Sequence, residues 1–290
     1  MSTLDKTRRL ADDFMALHRA DRGFVMPNAW DVGSAVLFAH EGFQAIASTS
    51  AGIAFAHGRP DYGVPEGARA LRQDEMLEAI RRMARSVDLP VNADLEAGYG
   101  DSPEAVADCV RRAIDAGCAG GNIEDFTGDP ARGLYDEGLA VERIAAARAA
   151  VDASGVAFVL TARTDGMIFD PEGALDSSIH RLNRFTDAGA DCLYAPGAPD
   201  MAAIRRLVGE TGRPVNVVMG LSGAPQTVDD LLDAGVMRIS LGGSIARAVF
   251  GFVRRALHEV RDEGRFGYAD GQIPQSELGT IFAAGNSDPT

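Results

Sequence analysis

Short apolar segments alternate with longer amphipathic segments along almost the whole chain, and this alternation limits the fold more than any other feature. Eight apolar segments have the length of strands, and the stretches between them have helical periodicity. Parallel strands joined by helical crossovers are therefore predicted. The predicted strands are Phe24–Pro27, Ala45–Ser48, Val91–Asp94, Gly121–Ile123, Phe158–Arg163, Cys192–Tyr194, Val215–Val218 and Arg238–Leu241.

Eight β/α units within 290 residues predict an α/β fold that closes into a (β/α)8 TIM barrel. A doubly wound open sheet is the alternative, but no GxGxxG follows the first strand. No linker divides the chain, so residues 1–290 are predicted to form one domain. The barrel would span about 22–262, followed by a helical extension at about 263–290. Outside it we expect an N-terminal helix at about Thr3–His18 and a C-terminal helix near Gln275–Ala284.

The turn residues agree with this division. Four glycines follow helical runs and are predicted to end helices in the left-handed conformation, namely Gly117, Gly189, Gly212 and Gly235. Two pairs of a capping residue and a proline are predicted to open helices, namely Ser102-Pro103 and Asp170-Pro171.

The amino-acid composition excludes or disfavours several classes of function. Lys6 is the only lysine, since the other 27 of the 28 basic residues are arginines. A Schiff-base lysine in the folded core is thus excluded, and with it the lysine-dependent aldolases and the pyridoxal phosphate enzymes. The formal net charge of −14 disfavours binding to nucleic acid or to an anionic membrane.

The cysteines and the N-terminus bear on the compartment. Cys109, Cys118 and Cys192 are far apart and form no CxxC or Cys/His cluster, which is typical of reduced cytosolic thiols. The first residues alternate charged and apolar side chains, unlike a signal peptide. No segment approaches about 18 consecutive apolar residues. A cytoplasmic protein is expected.

Acidic residues follow three of the predicted strands directly. The third strand runs into Asp94 and Glu96, the fourth into Glu124, and the fifth ends with Arg163 and runs into Asp165. Such positions meet at the mouth of a barrel, where several carboxylates repel one another unless a cation neutralises them. Carboxylates without His or Cys favour Mg²⁺ or Mn²⁺ over Zn²⁺. A single acid after a strand is more often a helix cap, but three acid-bearing strand ends beside an arginine favour a metal site.

Five motifs resemble the isocitrate lyase / phosphoenolpyruvate mutase superfamily, in order and spacing, from about Met26 to Val218. They are Ser50-Ala51-Gly52, Gly58-Arg59-Pro60-Asp61-Tyr62-Gly63, Asp94-Leu95-Glu96-Ala97-Gly98-Tyr99-Gly100, Ile123-Glu124-Asp125 and Ala162-Arg163-Thr164-Asp165. The resemblance implies a barrel, commonly a homotetramer that swaps its C-terminal helix, with Mg²⁺ or Mn²⁺ and small 2-oxo or 2-hydroxy carboxylates as substrates.

The resemblance also implies roles for individual residues. Asp94 matches the direct metal ligand, and Arg163 matches the arginine that reaches the substrate carboxylate or the metal-bound oxygen. Asp61, Glu96 and Glu124 match acids that hold the metal's waters. Substrate contacts are implied for Ser50, for the backbone amides of Ala51 and Gly52, and for Asn216.

The chain departs from the superfamily in the loop after the fourth strand. The lyases carry a Lys/Arg-Cys-Gly-His motif there, and the phosphonate enzymes carry a lysine and an asparagine. Residues 126–135 contain no Cys, His, Lys or Asn. The acid that follows the family's sixth strand is also missing, since the chain continues from Tyr194 into Ala195-Pro196-Gly197. Glu96 stands where the family has aspartate.

These features favour a Mg²⁺-dependent lyase or decarboxylase that cleaves a C–C bond of a small 2-oxo or 2-hydroxy carboxylate through a metal-stabilised enolate. The alternatives are a phosphonopyruvate/phosphoenolpyruvate mutase or hydrolase, and a catalytically silent metabolite-binding barrel. Candidate bases are His57, Tyr62 and Tyr135, each on a loop after a strand. Arg132 is a candidate for binding the second carboxylate of a diacid.

Overall fold

Parallel strands form one sheet in the computed structural model, which describes residues 2–61, 70–171, 173–223 and 225–285. Within these ranges the sheet has nine strands, namely β1 (Phe24–Met26), β2 (Asn28–Ala29), β3 (Ile46–Ser48), β4 (Val91–Asp94), β5 (Gly120–Glu124), β6 (Val159–Arg163), β7 (Cys192–Tyr194), β8 (Val215–Val218) and β9 (Arg238–Ser240). Their order in the sheet is β1-β9-β8-β7-β6-β5-β4-β3-β2.

The sheet curls into the predicted barrel because its two ends belong to one stretch of chain. β1 pairs with β9, while β2 pairs with β3, and only Pro27 separates β1 from β2. Proline has no N–H to donate to a strand ladder, which explains why the first of the eight predicted strands is divided there. The (β/α)8 prediction is confirmed, with the first strand in two pieces.

Helices surround the barrel and supply the crossovers. They are α1 (Thr3–His18), α2 (Val32–His40), α3 (Ser50–Ala56), α4 (Gln73–Ser86), α5 (Pro103–Asp115), α6 (Glu137–Ser154), α7 (Gly166–Phe169), α8 (Leu175–Asp187), α9 (Met201–Glu210), α10 (Val228–Asp233), α11 (Ser244–His258) and α12 (Gln275–Gly285). A π-helical turn (Glu259–Glu263) and a 3-10 turn (Gly267–Gly271) lie between α11 and α12.

Most of the predicted helix signals are confirmed. Gly117, Gly189 and Gly235 have positive φ after α5, α8 and α10. The prediction for Gly212 is wrong, because α9 ends in extended backbone at Thr211. Ser102 caps α5 by accepting a hydrogen bond from the Ala105 amide.

The prediction that Asp170-Pro171 opens a helix is also wrong. The short helix α7 ends at Phe169, and α8 begins only at Leu175. Asp170 Oδ1 accepts a hydrogen bond of 2.9 Å from the Gly173 amide instead. The aspartate therefore closes a turn between two helices rather than capping the second one.

Helix α1 packs against the start of the strands. Phe14 is completely buried and lies against Gly120, where an added Cβ would be only 2.7 Å from the Phe14 ring. His18, one turn later, is also buried, with Nδ1 2.8 Å from the Phe14 carbonyl oxygen and Nε2 3.2 Å from Arg238 Nη1. A carbonyl only accepts, so Nδ1 carries the proton and Nε2 accepts from the arginine.

The buried position of His18 predicts a pH effect on stability. Burial, with a further contribution from the Arg238 charge, lowers the pKa of His18 from 6.5 to about 3. Below pH 6.5, His18 is protonated in the unfolded chain but not in the folded chain. The free energy of unfolding therefore decreases as the pH falls from 6.5 towards 3. The slope is up to about 1.4 kcal/mol per pH unit.

Urea unfolding of the wild type and of His18→Gln between pH 7 and pH 4 measures this effect. The free energy of unfolding of the variant is expected to fall less steeply with acid. The exposed His40 provides the matched control, and His40→Gln should keep the wild-type slope. Equal slopes for all three proteins would contradict this account of His18.

The C-terminal part leaves an apolar surface exposed. Helix α12 packs against α2 of the same chain and buries Ile281, so an exchange of α12 between copies stays a prediction. Helix α11 exposes Val249, Phe250, Phe252, Val253 and Leu257. None of the helices in the described part of the chain is long and apolar enough to cross a membrane.

Candidate functional site

The carboxylate of Asp94 is held at the end of β4 by three neighbouring elements. Its Oδ2 accepts a hydrogen bond of 2.9 Å from the Ser50 amide at the start of α3, and its Oδ1 accepts one of 2.9 Å from Asn122 Nδ2 on β5. Its own amide donates to Ser48 Oγ on β3, at 2.8 Å. These contacts fix the carboxylate at the mouth of the barrel without neutralising its charge.

The loop that follows β4 brings a second acid beside Asp94. Glu96 and Tyr99 have the positive φ angles 49° and 58°, which ordinary residues seldom adopt. The Tyr99 hydroxyl donates to Glu96 Oε1 at 2.8 Å. Burial, followed by the negative charge of Asp94, raises the pKa of Glu96 to about 8, and the charge of Asp61 adds to the effect.

Arg143 on α6 holds this strained loop in place. Its guanidinium, which is 1% exposed, donates to the carbonyl oxygens of Ala97, Gly100 and Asp101. It also lies over the Tyr135 ring, with Cζ 4.1 Å from the ring centroid. A side chain that satisfies three carbonyls explains how the loop keeps its unfavourable backbone conformation.

Arg163 at the end of β6 lies between two buried acids. Its Nε and Nη2 donate to the two carboxylate oxygens of Asp165, at 2.6 and 3.1 Å. Its Nη1 is 2.9 Å from Glu124 Oε2, but out of line for a hydrogen bond, and that oxygen has no hydrogen-bond partner among the described residues. Burial raises the pKa of Glu124, and the charge of Arg163 opposes the rise.

Asp125 and Arg181 form a second buried ion pair, and Asp125 contacts the backbone of Asp165. Asp125 Oδ1 accepts a hydrogen bond of 3.0 Å from the Asp165 amide, and Asp125 Oδ2 accepts one of 2.8 Å from Arg181 Nε on α8. Arg181 also donates to the Tyr135 carbonyl at 2.7 Å. The position of Arg163 therefore depends on two acids that sequence reasoning quoted but gave no role.

The start of α3 offers fewer donors than the sequence predicts. The Ser50 amide donates to Asp94, and the Gly52 amide donates to its capping residue Thr49 Oγ1, at 3.3 Å. A substrate contact of the Gly52 amide would compete with this capping bond, and the substrate contacts of Ser50, Ala51 and Gly52 stay predictions. Gly52 has a packing role, since an added Cβ would lie 2.6 Å from Thr49 Cγ2.

The remaining predicted residues lie around this mouth. Asp61 is half-buried and close enough to affect the pKa of Glu96. His57 is exposed at the end of α3, with Nδ1 2.9 Å from the Ile53 carbonyl oxygen. The candidate base Tyr62 lies outside the described residues. All the assigned roles stay predictions.

The loop of residues 126–135 is a closed hairpin. Phe126 and Leu134 form an antiparallel bridge, and Thr127 Oγ1 donates to the Gly133 carbonyl at 2.8 Å. The Tyr135 hydroxyl donates to Asp101 Oδ1 at 2.6 Å, and Arg132 donates to Asp101 Oδ2 at 3.1 Å. Burial raises the pKa of Tyr135 to about 12. The candidate base and the candidate diacid ligand are therefore both engaged with Asp101.

A polar cavity of about 60 Å³ lies inside the barrel below this mouth. Asp94 and Arg163 line it, together with Asn122 and Asn216 from β5 and β8. Asn216 Nδ2 donates to Ser240 Oγ at 3.0 Å, and its Oδ1 accepts from Arg238 Nε at 2.9 Å. The predicted substrate residues Arg163 and Asn216 thus share one cavity with the predicted metal ligand.

The acids fit a hard divalent cation that keeps most of its water. Asp94, Glu96 and Glu124 offer only oxygen ligands, and the charge of Asp94 adds to the effect of burial in raising the pKa of Glu96. Glu124 Oε2 is a buried acceptor without a hydrogen-bond partner among the described residues. No three His, Cys, Asp or Glu side chains of the described chain are close enough to form a preassembled metal cluster. Mg²⁺ commonly takes one or two carboxylates and retains its waters, so this arrangement suits it.

Sequence reasoning missed several residues of this site. Asn122 could have been found, because it precedes Glu124 by two positions on a strand and so faces the same side. Tyr99, Asp165 and Arg238 carried no comparable signal. Their roles depend on contacts made by a strained loop, by the residues just beyond a strand and by the barrel interior.

Known proteins resemble this chain in sequence and in structure. The sequence model of the family described as phosphoenolpyruvate phosphomutase matches residues 14–261. The 2-methylisocitrate lyase of Escherichia coli is 31% identical over 240 residues, which cover 79% of this chain and 77% of that enzyme.

Solved structures with the same barrel include two that are relevant to function. A Burkholderia cenocepacia protein described as a lyase/mutase has a TM-score of 0.91 and 43% identity, with 96% of this chain and 97% of that chain covered. Oxaloacetate acetylhydrolase in complex with its product oxalate has a TM-score of 0.84 and 25% identity, with 94% and 93% covered. This chain is thus similar to enzymes named for both C–C bond cleavage and phosphoryl rearrangement.

Proposed function

Since this chain belongs to the phosphoenolpyruvate phosphomutase family, we propose that it is a carbon–carbon lyase or decarboxylase for a small 2-oxo dicarboxylate such as oxaloacetate. One observation carries the proposal. Asp94, Glu124 and Arg163 come from three adjacent strands and converge at the same end of the barrel. The relative named for oxaloacetate supports the substrate class, and the relative named as 2-methylisocitrate lyase supports C–C bond cleavage of a small polycarboxylate.

The residues of the cavity have complementary tasks in the proposed reaction. A divalent cation held by Asp94, with Glu96, Glu124 and Asp61 around its waters, would supply positive charge for the 2-oxo and carboxylate oxygens of the substrate. Arg163 and the Asn216 amide would orient the substrate carboxylate. The Ser50 hydroxyl and the Ala51 amide would donate to its oxygens.

The reaction itself needs no nucleophile from the protein. In decarboxylation of oxaloacetate the C3–C4 bond breaks, its electron pair moves towards the 2-oxo oxygen, and carbon dioxide leaves. Arg163 lines the cavity in which this negative charge would develop, and its fixed N–H groups would donate hydrogen bonds to the oxygen that carries it. A proton from water then completes pyruvate at C3.

The closed hairpin of residues 126–135 supports this simpler chemistry. Retro-aldol cleavage of a 2-hydroxy acid requires a base that removes the proton of the hydroxyl group. This loop has no Cys, His or Lys that could act as that base. Its Tyr135 donates to Asp101 and has its pKa raised to about 12, so it is poorly suited to accept a proton. A β-oxo acid is therefore a better substrate than a 2-hydroxy acid.

An assay of the purified protein with Mg²⁺ tests the proposal. Oxaloacetate, 2-methylisocitrate and phosphonopyruvate are supplied separately, and loss of each is followed against a protein-free control. We expect turnover of oxaloacetate. Turnover of phosphonopyruvate alone would assign a mutase or hydrolase, and Mg²⁺-dependent binding without any turnover would assign a metabolite-binding barrel.

We also propose that the chain forms a homo-oligomer. The exposed apolar side chains Val249, Phe250, Phe252, Val253 and Leu257 on α11 support this, because contiguous apolar patches commonly mark protein–protein contacts. A location in the cytoplasm remains part of the same proposal.

A further inference from the structure

Arg238 is a buried cation inside the barrel, and its hydrogen-bond partners among the described residues are all neutral. Its side chain is 2% exposed. The Nε donates to Asn216 Oδ1 at 2.9 Å, Nη1 donates to His18 Nε2 at 3.2 Å, and Nη2 donates to Thr161 Oγ1 at 3.0 Å. These contacts satisfy part of the guanidinium, but none of them cancels its charge.

The other arginine of the cavity is different. Arg163 lies within 2.9 Å of both Asp165 and Glu124, so two carboxylates offset its charge. No carboxylate oxygen of the described residues lies within 4.0 Å of the Arg238 nitrogens. His18 does not alter the balance, because it accepts a hydrogen bond as a neutral imidazole. Arg238 therefore contributes a full positive charge to the interior.

Arg238 and Arg163 occupy successive layers of the same cavity. Both line it. Arg238 contacts Thr161, which precedes Arg163 by two positions on β6, and side chains two apart on a strand face the same side with about 7 Å between them. Arg163 lies at the mouth beside the acids, and Arg238 lies one layer further in, beside Asn216.

We propose that Arg238 determines specificity for a dianionic substrate, since its uncompensated charge at the inner end of the cavity favours a ligand with a second carboxylate over one with a single carboxylate. The inference rests on the proposed function and identifies the feature of the substrate that this chain selects. At an effective dielectric constant near 20, a cation about 10 Å from the second carboxylate improves binding roughly tenfold.

The alternative partner for a second carboxylate is less suitable. Arg132 is half exposed, with 51% of its side chain accessible, and it is already paired with Asp101. An exposed, paired arginine attracts a ligand only weakly, because water and the partner carboxylate screen its charge. The guanidinium of Arg238 is buried and has no ion-pair partner among the described residues, so its charge attracts a ligand carboxylate more strongly.

The test compares two ligands that differ by one charge. Malate and its 4-methyl ester share a skeleton, and their Kd values are measured by calorimetry with Mg²⁺ present. The wild type is expected to bind malate at least about tenfold more tightly than the ester. Equal affinities for the two ligands would overturn the proposal without any variant.

Two substitutions at one position then assign the preference to Arg238. His18→Glu places a carboxylate beside Arg238 from α1, outside the residues that line the cavity, and His18→Gln provides a neutral side chain at the same site. The preference for malate should fall to about twofold or less in His18→Glu and remain in His18→Gln. Arg238→Met should lose it as well, and this variant carries the test if His18→Glu fails to fold.

An unchanged preference in the folded His18→Glu or Arg238→Met protein would contradict the inference, as would an equal loss in His18→Gln. Tighter binding of phosphonopyruvate than of malate, with the same dependence on Arg238, would mean that the selected ligand is a phosphonate and would overturn the assignment of a dicarboxylate. Because these are binding measurements, they stand apart from turnover. Charge-dependent binding without C–C cleavage would refute the proposed function and leave the inference about Arg238 intact.

Discussion

Asp94→Asn is expected to lower turnover of oxaloacetate by about 10³-fold or more, because the substitution removes the one carboxylate predicted to bind the divalent cation directly. The neutral amide keeps the shape of the side chain. The barrel should therefore fold, although the amide oxygen can accept only from Ser50 or from Asn122, where the carboxylate accepts from both. The loss would show that the charge at this position, rather than the packing, supports the reaction.

A second readout separates cation binding from activity. Mg²⁺ that binds only the folded wild type raises its Tm, and the rise should disappear in Asp94→Asn. Asp88→Asn is the matched control, since Asp88 is an exposed aspartate paired with Arg9 in the connection that precedes β4. That variant should keep both the Mg²⁺ response and the activity. A wild-type Mg²⁺ response in Asp94→Asn would refute the assignment of Asp94.

Asp165→Asn is expected to reduce kcat/KM for oxaloacetate about 100-fold, mainly through a higher KM, because Arg163 loses the carboxylate that fixes its orientation. Both hydrogen bonds that Asp165 accepts from this guanidinium are charge-assisted, at 2.6 and 3.1 Å. Removal of one partner of such a buried pair also costs stability, roughly 3 kcal/mol.

Steady-state kinetics and urea unfolding together test the positioning role of Asp165. Asp165→Glu retains the charge and should recover part of the KM, which a purely structural residue would not require. Asp136→Asn changes an exposed helix cap of α6 and should leave the KM at its wild-type value. A KM that is unchanged in Asp165→Asn would mean that Arg163 does not need this carboxylate to contact the substrate.

The barrel and the acids at its mouth were predictable, and both for physical reasons. Eight apolar segments can bury both faces only in a closed or doubly covered parallel sheet, and parallel strands place their carboxyl ends together. Asp94 and Arg163, as charged residues at the ends of apolar runs, followed from that arrangement. The division of the first strand at Pro27 was missed because it depends on which neighbour each half pairs with.

The interior network could not be predicted in the same way. Arg238 is a charged residue within a predicted strand, and its partners His18, Thr161 and Asn216 come from segments up to 220 residues away. Periodicity assigns a face to each side chain, but it does not identify the residue opposite. The same limit applies to Asp165, whose bond to Arg163 forms beyond the end of the strand, and to Asp170, which closes a turn instead of capping a helix.

Carbon-13 NMR of uniformly labelled oxaloacetate tests the central claim most directly. The wild type with Mg²⁺, Asp94→Asn with Mg²⁺ and Mg²⁺ alone are followed side by side, because oxaloacetate also decays spontaneously. The account predicts that the wild type separates the labelled carbons into two products, with pyruvate and carbon dioxide expected, and that Asp94→Asn matches Mg²⁺ alone. A wild-type rate equal to that of Mg²⁺ alone would contradict it.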